Sequence, residues 1–206
     1  MDVIAHTLWT NAVFHFKYKN QRRMRYLAAF FGVAPDLVGF TPLFIYLIIS
    51  GRVFNGERLS FLYQTHWTFR FAEEAYNYTH SLVIFGICFL SVLILGNLYK
   101  HLKRGSLQSF SWRKAWFFWP MLGWALHILI DIPTHPDFYS TPFLYPISSF
   151  ENHHGMPWSH PVFMVVNYTL LAMAYAAISV YHRRRRAKIL SKSLNKDGKK
   201  NHSTNK

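Results

Sequence analysis

His127 and Asp131 stand four residues apart in "WALHILIDIPTH", so a helix over this stretch sets an imidazole and a carboxylate on one face, one turn apart. Pro133 disfavours helix at Ile132 and Pro136 does the same at His135, which places His135 in the loop just past the helix end. Further along the chain in both directions lie Asp36, in "GVAPDLVGF", His80, in "YNYTHSLVIF", and His6, near the start. Imidazole with carboxylate is a ligand set for Zn²⁺, and for Mn²⁺ or Fe²⁺ when carboxylates and water join. The pattern H-x-x-x-D is common by itself. Its setting is what gives it meaning, because Asp36, His127 and Asp131 fall inside stretches otherwise apolar enough for a membrane. An aspartate left unpaired in hydrocarbon costs several kcal/mol. None of these stretches carries a Lys or Arg to pair with it. Two remedies remain: a bound divalent cation, or carboxylates protonated within a His/Asp hydrogen-bond network.

The elements that must hold these residues are read from the apolar runs. The chain has 206 residues, 51% of them hydrophobic and 18% aromatic, concentrated in four segments: 26–50, 80–99, 115–132 and 161–181. A helix needs about 20 largely apolar residues to cross the hydrocarbon core, and each segment meets or nearly meets that length. The expected fold is an all-α integral membrane protein, a bundle of four transmembrane helices plus a short N-terminal membrane-embedded helix. Its membrane-embedded helical domain would cover residues 1–182, followed by a basic and disordered cytoplasmic tail over 183–206. The net charge of +14 follows the same plan. Basic clusters precede the first span, separate the second from the third and follow the fourth, while 133–160 has no Lys or Arg. That alternation predicts a cytoplasmic C-terminus, and it fits a bacterial inner membrane. "RRRRAK" is then a stop signal that also attracts anionic headgroups. No nucleic-acid partner is expected, since no aromatic-interleaved basic platform accompanies the charge. Cys88 lies alone within a span, and the first sixteen residues lack the basic start of a cleavable signal peptide.

Residues 1–16 carry Ile4, Leu8, Trp9, Ala12, Val13 and Phe16 at helical spacing. A hairpin of this helix with the 26–50 span brings His6 and Asp36 to one level, each roughly 15 Å from the turn at 1.5 Å per residue. His80 and Asp131 sit about ten ångströms further out on ideal geometry. Pro35, Gly39 and Pro42 can break or extend the backbone around Asp36 and so close that gap. All five residues then gather in the outward-facing half of the membrane.

In order, "HTLWTNAVF", "GVAPDLVGF", "YNYTHSLVIF" and "WALHILIDIPTH…TPFLYPIS" resemble the signature blocks of the YdjM-like membrane-bound metal-dependent hydrolases, over residues 1 to about 150. The resemblance implies His6, Asp36, His80, His127 and Asp131 as metal ligands, with zinc as the first choice of ion. It also implies metal-assisted hydrolysis of an ester or phosphoester. Asp131 and His135 are the catalytic candidates, His135 by its loop position at the mouth of the site, where it either protonates the leaving group or is a plain solvent-exposed histidine. A site opening into the outer leaflet would suit membrane lipid or another small amphiphilic substrate. One departure stands out: many members have His-Arg shortly before T-H-S, where this chain has Tyr76-Asn77-Tyr78. Arg70 or the pair Glu73-Glu74 could replace what is missing.

Other residues have plainer readings. Thr79 and Ser81 read first as helix-start caps and only second as groups orienting a ligand. His153, His154 and His160 form an accessory cluster. Tyr139, Phe143, Tyr145, Phe150 and Trp158 suit an interfacial aromatic belt. Two other functions compete: a small ion- or proton-coupled transporter, whose kind uses helices broken beside an Asp, and a non-catalytic scaffold with a structural metal site. Against the transporter stand the small number of spans and the gathering of polar residues on one side.

Overall fold

The computed structural model describes residues 1–19, 21–51, 66–104, 118–136 and 140–203. Among them the chain is all-helical, with seven α-helices: α1 (Val3–Lys17), α2 (Arg22–Phe31), α3 (Ala34–Ile49), α4 (Trp67–Thr79), α5 (Leu82–Arg104), α6 (Leu122–Thr134) and α7 (Pro161–Ser203). A 3₁₀ turn, Trp119–Met121, leads into α6. The chain divides into two compact units at Met164–Val165, and every site residue belongs to the first.

Asp2 starts α1 by accepting from the Ala5 N–H at 2.9 Å, and His15 and Lys17 lie in its last turn, opposite the helix's negative end. The Gln21 N–H donates to the Tyr18 carbonyl at 2.9 Å as the chain reverses into α2. The hairpin is locked by the cluster of Phe14, Tyr18 and Ala28, against which Trp119 and Leu122 pack, and by Lys17 Nζ 3.5 Å over the Trp119 ring. Burial of Tyr18 in that turn pushes its phenol up to about 12. α3 returns along α4 through Leu43, Leu47, Phe69 and Ala72.

α6 is wedged beside α2 because glycine permits it. A Cβ on Gly123 would stand 2.2 Å from the Ala28 carbonyl oxygen, and one on Gly32 would strike the Thr10 side chain at 2.2 Å. The C-terminal carbonyls of α6 are not left bare. Ile132, Pro133 and Thr134 accept from Asn152 Nδ2, Met156 N–H and Trp158 N–H at 3.0, 3.1 and 3.0 Å, so the loop after α6 folds back as its cap.

Among the described residues, two helices are long and apolar enough to cross a membrane, over Leu82–Tyr99 and Pro161–Ile189, or three if α2 and α3 form one span bent by 56°. These helices indicate a membrane protein. The expected span at 115–132 differs: its described part is the 3₁₀ turn and the thirteen-residue α6, about 20 Å long at 1.5 Å per residue, against roughly 30 Å of hydrocarbon. Ile128 is fully enclosed within the protein, while Leu129 is 53% exposed. Helix also persists through Pro133 to Thr134, two residues beyond the expected stop, the Pro being accommodated inside the last turn. Likewise Pro42 stays within α3, and the break falls at Gly32–Val33 instead. The basic segment after Arg183, expected as a disordered tail, continues α7 as helix through Ser203; it contains no proline, and its Arg and Lys residues favour helix.

Candidate metal centre

The site forms where helices start, stop or bend. Asp36 sits in the first turn of α3, directly after the bend from α2. His80 is the C-cap of α4, in the two-residue break before α5. His127 and Asp131 project from α6 into the same place, and His6 comes from α1. One ligand atom each from Asp36, His80, His127 and Asp131 lies within 4.8 Å of the other three, and all four residues are buried. His6, His80 and His127 have no solvent exposure.

The environment of each ring fixes its tautomer. His127 Nδ1 stands 2.8 Å from the Gly32 carbonyl, which can only accept, so Nδ1 carries the proton. His80 Nδ1 lies 3.2 Å from the Tyr76 carbonyl and 3.1 Å from Thr79 Oγ1. The Thr79 hydroxyl spends its hydrogen on the Ala75 carbonyl at 2.8 Å, so its oxygen accepts from His80 as well. With both Nδ1 atoms protonated, the two Nε2 atoms face one another 3.0 Å apart. Only one of them could donate to the other. Around them stand carboxylate oxygens: Asp131 Oδ2 at 3.1 Å from His127 and 3.5 Å from His80, and Asp36 Oδ1 at 3.6 and 3.5 Å. Two Nε2 lone pairs and two carboxylates converging at these distances repel one another unless a proton or a metal cation lies among them.

The spacing fits such a cation. Ligands held roughly 2.0–2.1 Å from a tetrahedral Zn²⁺ stand about 3.3–3.4 Å from each other. The five distances above run from 3.0 to 3.6 Å. Asp131 Oδ2 is buried with no hydrogen-bond partner, as a ligand awaiting a cation would be. Histidines whose second nitrogen donates to a carbonyl are the usual support of a metal site, since that bond fixes ring orientation and tautomer.

His6, expected as a fifth ligand, is not one of the four. It approaches the other carboxylate oxygen, Asp131 Oδ1, at 2.9 Å, and its ring stacks on His127 with centroids 3.8 Å apart. His135 caps α6, its N–H donating to the Asp131 carbonyl, and its Nδ1 lies 3.3 Å from the same Oδ1. Its side chain is 14% exposed, against 1% for Asp131, which puts it at the edge of the cluster. The Met1 amino group donates to Oδ1 at 2.5 Å.

Several expected roles shift. Ser81 is a cap, its hydroxyl accepting from the Val83 and Ile84 N–H groups at 3.1 and 3.2 Å. Thr79 is not; it closes α4 and supports the His80 ring. Arg70, Glu73 and Glu74 lie exposed on α4 and do not reach the centre. Tyr76 does: its ring stacks on His80 with centroids 3.8 Å apart, and its hydroxyl meets Thr141 Oγ1 at 3.4 Å. Tyr76 therefore supplies a wall of the site. His153, His154 and His160 are exposed and outside the cluster. Of the proposed aromatic belt, Phe143 packs into the core with Phe85 and Met121, Tyr145 stacks edge-on with Tyr78, Phe150 and Trp158 are exposed, and Tyr139 lies outside the described residues.

The supporting groups Gly32, Thr134 and Thr141 carried no signal of their own in the sequence. Gly32 acts through its backbone carbonyl, which every residue has, and Tyr76 adds its carbonyl to the contact of its ring.

The chain matches no known family model, no curated protein and no solved structure.

Proposed function

We propose that this chain is a membrane-embedded metal-dependent hydrolase of the YdjM-like kind, with the centre held by Asp36, His80, His127 and Asp131. The observation that carries this reading is the pair of Nε2 atoms 3.0 Å apart, each turned inward by an Nδ1–H bond to a backbone carbonyl, with two buried carboxylates beside them. Zinc suits this set of two imidazole nitrogens and two carboxylate oxygens best, with manganese or iron as alternatives. When bound, a divalent cation supplies Lewis-acid polarisation of a phosphoryl or acyl oxygen and lowers the pKa of water toward neutrality. The chain's own part is to fix the ligands. Gly32, Tyr76 and Thr79 hold the two rings in one tautomer, and burial keeps competing water away from the carboxylates.

The membrane setting suggests the substrate class. The reading is of two or three membrane-spanning segments with a short N-terminal helix in a bacterial inner membrane, the C-terminus cytoplasmic and its basic residues on anionic headgroups. A buried centre in such a bundle suits a lipid-like ester or phosphoester that enters from the outer leaflet. The test is metal analysis and turnover on the same nanodisc preparation, with fluorogenic phosphodiester and ester lipids as substrates. About one or more zinc ions per chain, with hydrolysis lost on chelation and restored by zinc, is the expected outcome. Protein that binds metal stoichiometrically and hydrolyses neither class would point to the structural-site alternative.

A transporter is the second reading, and one observation favours it: the 56° bend at Gly32–Val33 lies directly before Asp36. Proton or cation flux in liposomes that depends on Asp36 would support it over hydrolysis.

A further inference from the structure

The two oxygens of Asp131 face different partners. Oδ2 looks toward His80 and His127, at 3.5 and 3.1 Å. Oδ1 looks toward His6 Nε2 at 2.9 Å and His135 Nδ1 at 3.3 Å, with Thr134 Oγ1 at 3.4 Å. His6 cannot be explained by the first set. Its ring has no solvent exposure, and neither of its nitrogens has a hydrogen-bond partner despite the 2.9 Å approach to Oδ1. An imidazole buried with both nitrogens unsatisfied is costly unless its lone pair is directed at something absent from ordinary hydrogen bonding.

We propose that Asp131 bridges two divalent cations: one in the centre already described, and a second held by His6, His135 and Oδ1 of Asp131. The inference rests on the metal reading of the first centre and extends it to a paired site. Carboxylates bridge in this way where two ions lie about 3.5–4 Å apart and share a displacement reaction at an ester or phosphoester. The second set is softer and more open than the first, because it has a single carboxylate oxygen and its His135 is the partly exposed member. It should therefore bind the weaker of the two ions. The proposal also recasts His135. A ring that gives Nδ1 to a cation keeps its proton on Nε2, where it can hydrogen-bond a leaving oxygen instead of serving as the free acid expected from the loop position. The Met1 amino group is the rival occupant, since it already brings a positive nitrogen to Oδ1.

The experiment is Mn²⁺ titration of the full chain in nanodiscs after chelation, read by elemental analysis and by electron paramagnetic resonance. The proposal expects two ions per chain with an exchange-coupled signal, the weaker ion being lost in His6→Gln and in His135→Gln while the tighter one stays. Asp131→Asn abolishes the coupling. One ion per chain in the unaltered protein overturns the second site and leaves the first intact, the Met1 nitrogen then being what neutralises Oδ1. Two ions without coupling overturn it as well, by placing the second elsewhere, such as among His153, His154 and His160. No bound ion would overturn both the pair and the reading on which it rests.

Discussion

α5 and α6 pack against each other through Phe85 and Trp124, and both are strongly apolar, yet they do opposite work. α5 runs unbroken for 23 residues, and its Ile87, Leu90, Ile94 and Leu95 lie more than half exposed, as suits a surface facing lipid. α6 runs for thirteen residues and turns Gly123, His127, Ile128, Asp131 and Thr134 inward. One helix uses its apolar residues to meet the membrane, the other to seal a polar centre from it. The lesson is that hydropathy reports how much oil a helix tolerates and not which side of it the oil is on. The distinction can be broken at four places.

The largest effect is expected at Asp131, the residue of α6 whose carboxylate approaches His6, His80, His127 and His135. Asp131→Asn keeps the shape and removes the charge. At an ion concentration about 100 times Kd, the unaltered protein gains about 2.7 kcal/mol from binding, and the variant should gain close to none. Differential scanning with and without Zn²⁺ reads this as loss of the metal-dependent rise in Tm. A metal-dependent rise that persisted in Asp131→Asn would remove Asp131 from the centre.

Glycine sharpens the same contrast. Gly123 of α6 meets the Ala28 carbonyl, backbone that cannot step aside, whereas a Cβ on Gly86 of α5 meets nothing within 4 Å. Gly123→Ala should cost about 1–3 kcal/mol as an overpacked contact. Gly86→Ala should gain about 0.5–1 kcal/mol from helix propensity. Thermal unfolding of both in one detergent compares them directly, and equal effects would mean that α6 does not sit against α2 as described.

How much of this was legible in the sequence divides along the same line. α5 and the apolar part of α7 were readable because nothing interrupts them and their function is their hydrophobicity. The residue set of the centre was readable because carboxylates and imidazoles stand out against apolar neighbours. The breaks were not. Pro42 and Pro133 drew attention as helix breakers, yet α3 and α6 run through both, and the chain bends instead at Gly32–Val33, where Gly32 passes Thr10 with no room for a side chain. α4 also gave little signal, since its exposed Arg70, Glu73 and Glu74 dilute the apolar face that packs on α3. The division of His6 and His80 between the two oxygens of Asp131 is a fact of tertiary geometry, and no spacing in the chain encodes it.

Thr79 and Ser81 flank His80 and test whether the supporting shell is as specific as its geometry. Thr79→Val removes an acceptor from His80 Nδ1 and should weaken metal affinity about 10–100-fold. Ser81→Ala removes the cap of α5 and should cost about 1 kcal/mol of stability with Kd unchanged. Competition titration against a chromophoric chelator gives both constants. If Ser81→Ala weakened binding as much as Thr79→Val, the effect would come from the α4–α5 break as a whole and not from the Nδ1 bond.

The smallest effect is expected at Tyr76, which forms a wall of the site. Its ring covers His80 and its hydroxyl makes one long contact, 3.4 Å, with Thr141. Tyr76→Phe keeps the covering ring and loses that contact, so stability should fall by about 1 kcal/mol or less and metal content should not change. Tyr76→Ala removes the ring itself and should open His80 to water, weakening binding where the Phe variant does not. The ordering matters more than either number. If the phenol were instead a ligand, not a wall, Phe and Ala would lose metal alike.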